Sequence, residues 1–419
     1  MVLESINNSK NTAITFHEID CKETSSVEQI SGKTDIDGLE FDFNFGARIK
    51  VPEGNWRVKI FDRDTAVTMH NVQASNNVIT SAKKYYINFR LEVYQDDKLV
   101  FEHDMDLKGK KVLLKYCGAL GDNLAWFPYA KLFQERHNCE VYCAMPLEHA
   151  ALFTKTYPDL HFIGPTERPD GVYASYNIGI GYPYNDRTLQ PVDYRIVGFQ
   201  NLVAYILGLQ TSESPPEIVP TNPTRLIKEP YVCIASQSTA QAKYWNNPIG
   251  WIQTVAYLKD KGYRVLCIDK YMCVAPKIKS NTIPYGAENF TGDIPLTERV
   301  NLLYHADFFI GLSSGLSWLA WAVGRPVILI SGFSLPISEF YTPYRVINYN
   351  VCTGCFNDSS IDFARNDFDW CPRCKDTEHQ FECTRFITAE QVQMAIDRLM
   401  KDHGYNPKMR ELHSLSALD

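Results

Sequence analysis

The chain has 419 residues and a net charge of −7, and 45% of its residues are hydrophobic. This length predicts about two to four domains, and the hydrophobic content is typical of a folded globular protein rather than a disordered one. The acidic balance argues against nucleic acid as a partner, because nucleic-acid binding requires a basic surface.

No membrane span and no export signal are predicted. The most apolar stretch, residues 308–332, is interrupted by glycines, serines and Arg325, a pattern that predicts a buried strand, helix and strand. The N-terminal sequence MVLESINNSKNTA lacks the basic and apolar regions of a secretory signal. We therefore expect a cytoplasmic protein.

Residues 1–108 are predicted to form an N-terminal all-β domain. Between Thr12 and Leu107, hydrophobic and polar residues alternate in runs such as LEFDFNFGARIKV and NWRVKIFD, and turn sequences such as DIDG and PEGN separate the runs. The pattern indicates a small barrel or sandwich. We find no catalytic constellation in it, so we expect a role in packing, assembly or docking.

From residue 109 onward the pattern changes to strands that alternate with helices. KKVLLKYC is a predicted buried strand followed by an amphipathic helix, and a second series begins with YVCIAS after the Pro-rich stretch at 211–225. The pattern predicts an α/β protein with two Rossmann-like domains, residues 109–222 and 223–347, that face a cleft. Ligands should bind at the carboxyl ends of the parallel strands.

The loop GALGDNLAW follows the first of these strands. Gly118 and Gly121 allow a tight backbone, and Asp122 lies near the start of the next helix. On this fragment alone an ordinary helix-capping role for Asp122 is favoured. The alternative is a general base that acts on an acceptor hydroxyl at the mouth of the cleft.

The loop ASQSTAQAKYWNNP follows the first strand of the second series. Ser236 and Thr239 provide hydroxyl groups, and Lys243 provides a positive charge that suits a diphosphate. The alternative interpretation is a solvated polar loop with a surface lysine.

A third loop joins the strand DFFIGLS to the helix SGLSWLAWAVG. Ser313, Ser314 and Gly315 lie between them, where the free N–H groups of a helix N-terminus suit a phosphate. No GxxxxGK[ST] motif occurs, so a P-loop nucleotide hydrolase is not supported.

Residues 348–386 contain five of the twelve cysteines of the chain. Cys352 and Cys355 form one CxxC pair, Cys371 and Cys374 form a second, and Cys383 is a fifth candidate ligand. The spacing predicts a metal finger with four thiolates, which suits zinc or iron equally, and a closed shell of this kind is structural. A disulfide is disfavoured by a cytosolic address, and a redox dithiol is a further alternative.

The motif TGDIPLTERVNLLYHADFFIGLSSGLSWLAWAVGRPVILISG resembles the nucleotide-sugar half of ADP-heptose-dependent glycosyltransferases, and LGDNLAW resembles their acceptor-side loop. With AKYWNNP and the cysteine window, the chain is most similar to the bacterial autotransporter heptosyltransferase family. The resemblance runs from about Lys110 to the C-terminus. It implies the GT-B glycosyltransferase fold and inverting transfer of heptose from ADP-heptose to serine hydroxyls of autotransporter adhesin passengers in the cytoplasm.

The resemblance also implies residue roles. Asp122 matches the catalytic base, and Lys243 matches the lysine that contacts the donor diphosphate. The residues expected to line the donor site are Gly121, Ser236, Thr239, Thr291, Gly292, Ser313, Ser314 and Gly315. The Asp-Thr-Gly segment of lipopolysaccharide-core heptosyltransferases is absent, and Trp318 stands where those enzymes tend to have His, so their contacts cannot be copied. The scheme needs no catalytic metal.

For the finger, the resemblance favours one structural ferric ion per chain over zinc. It favours the ligands Cys352, Cys355, Cys371 and Cys383, with Cys374 as the alternate, whereas the pattern alone favours Cys374. It further implies a homo-oligomer, a dodecameric ring that the finger helps to build, and residues 387–419 are predicted to be a helix and tail. Two other functions are considered, a lipopolysaccharide-core heptosyltransferase and a non-enzymatic metal-finger assembly protein.

Overall fold

The structure, a computed structural model, describes residues 29–181, 186–274, 281–361 and 369–408. No helix within these ranges is both long enough and apolar enough to cross a membrane. The first part of the predicted all-β segment lies outside the described residues.

The N-terminal segment consists of short strands, as predicted, and in some of them side chains alternate between the core and the surface. They are β1 (Gly32–Lys33), β2 (Glu40–Asn44), β3 (Arg48–Val51), β4 (Trp56–Asp62), β5 (Val67–Ala74), β6 (Asn77–Thr80), β7 (Phe89–Gln95) and β8 (Lys98–Asp104). In β4, Trp56, Val58 and Ile60 are buried while the residues between them are partly exposed. β4, β5, β7 and β8 form an antiparallel sheet in the order β5-β4-β7-β8.

The first α/β half follows directly. Its elements are β9 (Lys111–Tyr116), α1 (Leu120–Trp126), α2 (Pro128–His137), β10 (Glu140–Ala144), α3 (Leu147–Ala150), β11 (His161–Ile163), β12 (Ala174–Ile178), α4 (Tyr194–Val197) and α5 (Phe199–Ile206). β9 to β12 are parallel, and β12 also pairs in parallel with β2, so the sheet runs β11-β10-β9-β12-β2-β3-β6 with β1 beside β2. Part of the N-terminal segment therefore continues the sheet of the first half.

The second half begins after residues 207–230, which contain no helix or strand and include the predicted linker. Its elements are β13 (Tyr231–Ile234), α6 (Gly250–Lys261), β14 (Arg264–Cys267), β15 (Cys273–Val274), β16 (Asn281–Thr282), β17 (Glu288–Asn289), α7 (Leu296–His305), β18 (Phe309–Leu312), α8 (Gly315–Ala322), β19 (Val327–Ile330) and β20 (Arg345–Val346). A parallel sheet runs β17-β14-β13-β18-β19-β20. Two Rossmann-like sheets are thus present, as predicted.

The C-terminal part contains α9 (Glu382–Arg385) and α10 (Ala389–His403). Thr388 caps α10, because its hydroxyl accepts a hydrogen bond from Gln391 N–H while the Gln391 side chain accepts one from Thr388 N–H. Val392, Ile396 and Leu399 are fully buried in the core of the second half. The helix therefore packs back onto that half, and residues 409–419 lie outside the described part of the chain.

Asp42 on β2 is a fully buried carboxylate in the sheet that joins the N-terminal segment to the first half. It accepts hydrogen bonds from Arg48 Nε at 2.7 Å and from Asn44 Nδ2 at 2.8 Å, and it forms an ion pair with Arg48. Glu40, on the same strand, pairs instead with the exposed ammonium of Lys50.

We predict that Asp42→Ala lowers the free energy of unfolding by about 3 kcal/mol, because it removes the buried carboxylate that pairs with the largely buried Arg48 guanidinium. Glu40→Ala is the matched control and should change that free energy by less than about 1 kcal/mol. Urea unfolding of both variants, followed by circular dichroism, measures the difference. Equal effects would show that burial of the Asp42–Arg48 pair has no special role.

Candidate active site

The first turns of α1 and α8, which belong to different halves, meet backbone to backbone. A Cβ atom on Gly121 would lie 2.9 Å from Trp318 Cδ1 and 3.3 Å from Gly315 Cα. A Cβ atom on Gly315 would lie 3.1 Å from Gly121 N and 3.0 Å from Leu120 Cβ. Only glycine fits at both positions without displacing a buried neighbour. The contact brings the loop after β9 to the loop after β18.

Asp122 is the third residue of α1 and is partly exposed. Its Oδ2 atom accepts a hydrogen bond from Ala119 N–H at 2.9 Å, which is a helix-capping contact. A Cβ atom on Gly118 would lie 2.4 Å from Asp122 Cβ, so position 118 in the preceding loop also requires glycine. Asp122 thus makes a capping contact from the third position of α1 and is not itself the N-cap residue, which is Ala119.

Ser314 caps α8 at the same junction. Its backbone is extended, with φ −145° and ψ 165°, and within the described part of the chain its buried hydroxyl oxygen has no hydrogen-bond partner. Such a hydroxyl is suited to a ligand, because a buried polar atom without a partner is costly. The first N–H groups of α8 also lack partners within the helix. Ser314 and Gly315 thus lie at the end of α8 that meets the first turn of α1, the turn that includes Asp122.

Ser313 belongs to a chain of polar contacts behind this helix end. Its hydroxyl lies 3.0 Å from that of Ser334, which in turn donates to Glu339 Oε1 at 2.8 Å. Glu339 is buried and forms an ion pair with Arg345. Ser238, from the loop after β13, donates to the Ser313 carbonyl at 3.5 Å. This network holds the two loops against each other.

Ser236 forms hydrogen bonds with Asp269, a residue that was not predicted from the sequence. Its N–H and hydroxyl both donate to Asp269 Oδ2, at 2.9 and 3.0 Å, and Gln237 N–H donates to Asp269 Oδ1 at 3.2 Å. Burial raises the pKa of Asp269, and the hydrogen bonds from Ser236 and Gln237 oppose that rise. Ser236 therefore shapes the loop. The signal for Asp269 was its position directly after the apolar strand RVLCI.

Arg299 on α7 is a second residue that was missed. Its buried guanidinium donates to the carbonyls of Ile268 at 2.9 Å, Gly292 at 2.7 Å and Ile294 at 2.7 Å. Burial lowers its pKa. It ties the Thr291–Gly292 segment to the end of β14. An arginine in an amphipathic helix gave no sequence signal for such a role.

Thr291 and Thr239 differ in how the structure holds them. The hydroxyl of Thr291 donates to Asn289 Oδ1 at 2.7 Å, so this predicted donor residue closes its own turn. Thr239 is exposed in the loop after β13.

Lys243 ends a 3-10 turn, Gln241–Lys243, in the same loop and is partly buried. Its ammonium has no carboxylate partner among the described residues. The positive charge is therefore available to an anion. The neighbouring Asn246 is buried, and its side chain contacts Thr384 in the C-terminal part at 2.9 Å.

The cysteine window is drawn together near α9. Burial, with the neighbouring thiols of Cys352, Cys371 and Cys383, raises the pKa of Cys355 to about 12, although Arg373 opposes the rise. Burial and the thiols of Cys371 and Cys352 also raise the pKa of Cys383, to about 12. Among the described residues, however, no three Cys, His, Asp or Glu side chains converge in an arrangement that could hold a metal. The donor set suits a soft metal by its chemistry, and a coordination geometry is not shown.

Cys374 also belongs to this group of thiols. Burial raises its pKa to about 11, and the thiols of Cys371 and Cys352 add to that rise. The grouping therefore leaves the choice between Cys374 and Cys383 as fourth ligand open.

The sequence and the fold can be compared with known proteins. Residues 36–97 match the N-terminal domain of glycosyltransferase TibC, and residues 205–360 match glycosyltransferase family 9 (heptosyltransferase). The autotransporter heptosyltransferase BAHTCr of Citrobacter rodentium is 50% identical over 367 residues, which are 87% of this chain and 89% of that protein.

Two further relatives are informative. The crystal structure of dodecameric iron-containing heptosyltransferase TibC in complex with ADP-D-β-D-heptose has a TM-score of 0.86 and 45% identity, covering 90% of this chain and 98% of that one. The inactive autotransporter heptosyltransferase BimC of Burkholderia thailandensis is 40% identical over 364 residues, 86% of this chain and 85% of that protein. The shared sequence and fold show that this chain belongs to the autotransporter heptosyltransferase family of glycosyltransferases.

Proposed function

We propose that this protein transfers heptose from ADP-heptose to serine hydroxyls of autotransporter adhesins. One observation carries the proposal: the Gly121–Gly315 contact brings the first turn of α1, which includes Asp122, against the first turn of α8. A carboxylate from one half and a phosphate-suited helix end from the other are the parts that sugar transfer from a nucleotide needs. The names of the relatives BAHTCr and TibC support heptose as the sugar and an autotransporter as the acceptor.

The reaction is an inverting displacement. The acceptor serine Oγ attacks the anomeric carbon, the bond from that carbon to the β-phosphate oxygen breaks, and ADP leaves. Asp122 receives the hydroxyl proton as general base. Its capping contact with Ala119 does not conflict with this role, because that hydrogen bond fixes the direction of the carboxylate.

The negative charge on the leaving ADP is stabilised by Lys243 and by the first N–H groups of α8. Ser314 adds the hydroxyl that has no partner in the described part of the chain. Gly121 and Gly315 let the first turns of α1 and α8 approach each other, whereas Ser236, Ser313, Thr291 and Gly292 hold the surrounding loops. The exposed side chain of Thr239 contacts the nucleotide in this proposal. The scheme uses no catalytic metal, because a lysine and helix amides supply the positive charge.

We predict that Asp122→Asn strongly slows transfer. The amide oxygen can still accept from Ala119 N–H, so the helix cap is kept while the base is lost, and the rate should fall by about 10²–10⁴-fold. The measurement is the intact mass of a serine-rich autotransporter passenger fragment after incubation with ADP-heptose. Heptose-sized increments should appear with the unmodified protein, they should appear far more slowly with the variant, and they should be absent with a passenger whose serines are changed to alanine.

Two results would contradict this account. Transfer by Asp122→Asn at the unmodified rate would reduce Asp122 to a helix cap. No increment from a folded, unmodified protein would favour a lipopolysaccharide-core acceptor, to be tested next with that glycolipid. If both acceptors fail, the protein would be a non-enzymatic assembly protein, a result made plausible by the inactive relative BimC.

The cysteine window is proposed to be a structural finger that binds one ferric ion per chain. The support is the group of thiols around Cys355 and the iron-containing, dodecameric relative TibC. Cys352, Cys355, Cys371 and Cys383 would hold the metal, and a closed four-thiolate shell has no position for substrate. We further propose that the protein is a homo-oligomer, a dodecameric ring, because the relative TibC is dodecameric. A cytoplasmic location fits the use of a nucleotide-sugar donor.

We predict that Cys355→Ser and Cys383→Ser lose the metal, whereas Cys374→Ser keeps about one iron per chain. Mass spectrometry of the metal content measures this, with zinc recorded in the same samples. Because the pKa values of Cys355 and Cys383 are about 12, binding must release protons, and apparent affinity should rise with pH. Loss of metal in Cys374→Ser but not in Cys383→Ser would reverse the choice of fourth ligand, and zinc in place of iron would correct the metal.

A further inference from the structure

The segment that carries Lys243 is fastened to the C-terminal part of the chain, far from it in sequence. Asn246 is 8% exposed, and its side-chain nitrogen lies within hydrogen-bond distance of the Gln241 carbonyl at 3.2 Å and the Tyr244 carbonyl at 2.9 Å. Its oxygen accepts from Gln241 Nε2 at 2.8 Å. These bonds span the residues on both sides of Lys243. The Asn246 side chain therefore sets the shape of the turn from which Lys243 projects.

The same nitrogen makes a third contact, to Thr384 Oγ1 at 2.9 Å. Thr384 is 1% exposed and follows Cys383 directly on α9. Its hydroxyl also lies 3.4 Å from the Phe381 carbonyl, to which it donates. The hydroxyl is thus used as both donor and acceptor inside the protein. Valine has the same shape as threonine but could make neither bond.

Neighbouring residues reinforce this attachment. Trp245 Nε1 donates to the Ile387 carbonyl at 2.9 Å, and Asn247 Nδ2 donates to the same carbonyl at 3.1 Å. In addition, a Cβ atom on Gly332 would lie 2.7 Å from the Cys383 carbonyl oxygen. α9 therefore contacts both the Lys243 loop and the loop after β19. A substitution that displaces α9 would therefore move Lys243, although the substituted residue itself does not contact the donor.

We infer that Thr384 is a positioning residue for the donor diphosphate, acting through Asn246 on Lys243. The inference rests on the proposed function, because it takes Lys243 as the cation that contacts the diphosphate. It assigns to the C-terminal part of the chain a role within the donor site. No residue of that part needs to touch the nucleotide, since the link consists of hydrogen bonds between side chains and backbone.

The test is the binding of ADP to the full-length protein, measured by isothermal titration calorimetry. Thr384→Val should raise the Kd about fivefold to tenfold, the scale of one lost buried hydrogen bond, whereas Thr384→Ser should restore most of the affinity. Thr254→Val is the matched control. Thr254 is a fully buried threonine on α6 whose hydroxyl has no partner among the described residues. The Kd of Thr254→Val for ADP should therefore stay within about twofold of the value for the unmodified protein.

A double-mutant cycle separates positioning from general damage. Lys243→Ala should raise the Kd by at least about tenfold, and Thr384→Val should then add less than about twofold, because the group that it positions is gone. Equal effects of Thr384→Val in both backgrounds would overturn the inference. So would an unchanged Kd in Thr384→Val, or an unchanged Kd in Lys243→Ala.

Failure of the proposed function gives a different result. If ADP binds with the expected cycle but no heptose reaches a passenger fragment, the link holds and the proposed acceptor chemistry fails. If the unmodified protein binds no ADP, both the link and the proposed function are overturned. A thermal melt of each variant checks that the loss of affinity does not follow from unfolding.

Discussion

The contact between Gly121 and Gly315 is the constraint on which the candidate site depends. Each glycine faces backbone or a buried side chain of the other half, and any larger residue would separate the helices. The loops that follow β9 and β18 thereby lie next to each other. Trp318 packs beside the contact and lies 6.5 Å from Phe199 of the first half, centroid to centroid. The first turns of α1 and α8 are therefore closely packed at the junction of the halves.

The polar residues of the candidate site divide into two groups. Asp122 presents a partly exposed carboxylate, Lys243 a partly buried ammonium, and Ser314 a hydroxyl without a partner among the described residues. Asp269 and Arg299 instead use their hydrogen bonds on the backbone of neighbouring loops. A site that must bind a charged nucleotide requires such supporting residues, because loops at the ends of strands have few backbone partners of their own.

Local patterns in the sequence predicted much of this fold. Alternation in runs such as NWRVKIFD gave the strands, and the change of period near Lys111 gave the α/β halves, because both signals depend on neighbouring residues. The parallel pairing of β12 with β2 was not predictable, since the partners are far apart in the chain. The contact between Ser236 and Asp269 was not predictable for a related reason. The hydroxyl of Ser236 is used by Asp269, which comes from another strand.

Membership of the family indicates which reaction a chain would catalyse, but it does not show that the chain is active, because the family includes a protein named inactive. The physical account makes a narrower claim, that transfer requires the close approach of α1 and α8. The most direct test is heptose transfer by Gly121→Val, with Gly164→Ala as the control, since a Cβ atom on Gly164 meets only the flexible Glu167 side chain. The account predicts that the variant still binds ADP but loses transfer by at least about tenfold, while the control transfers normally. Transfer by Gly121→Val at the unmodified rate would contradict it.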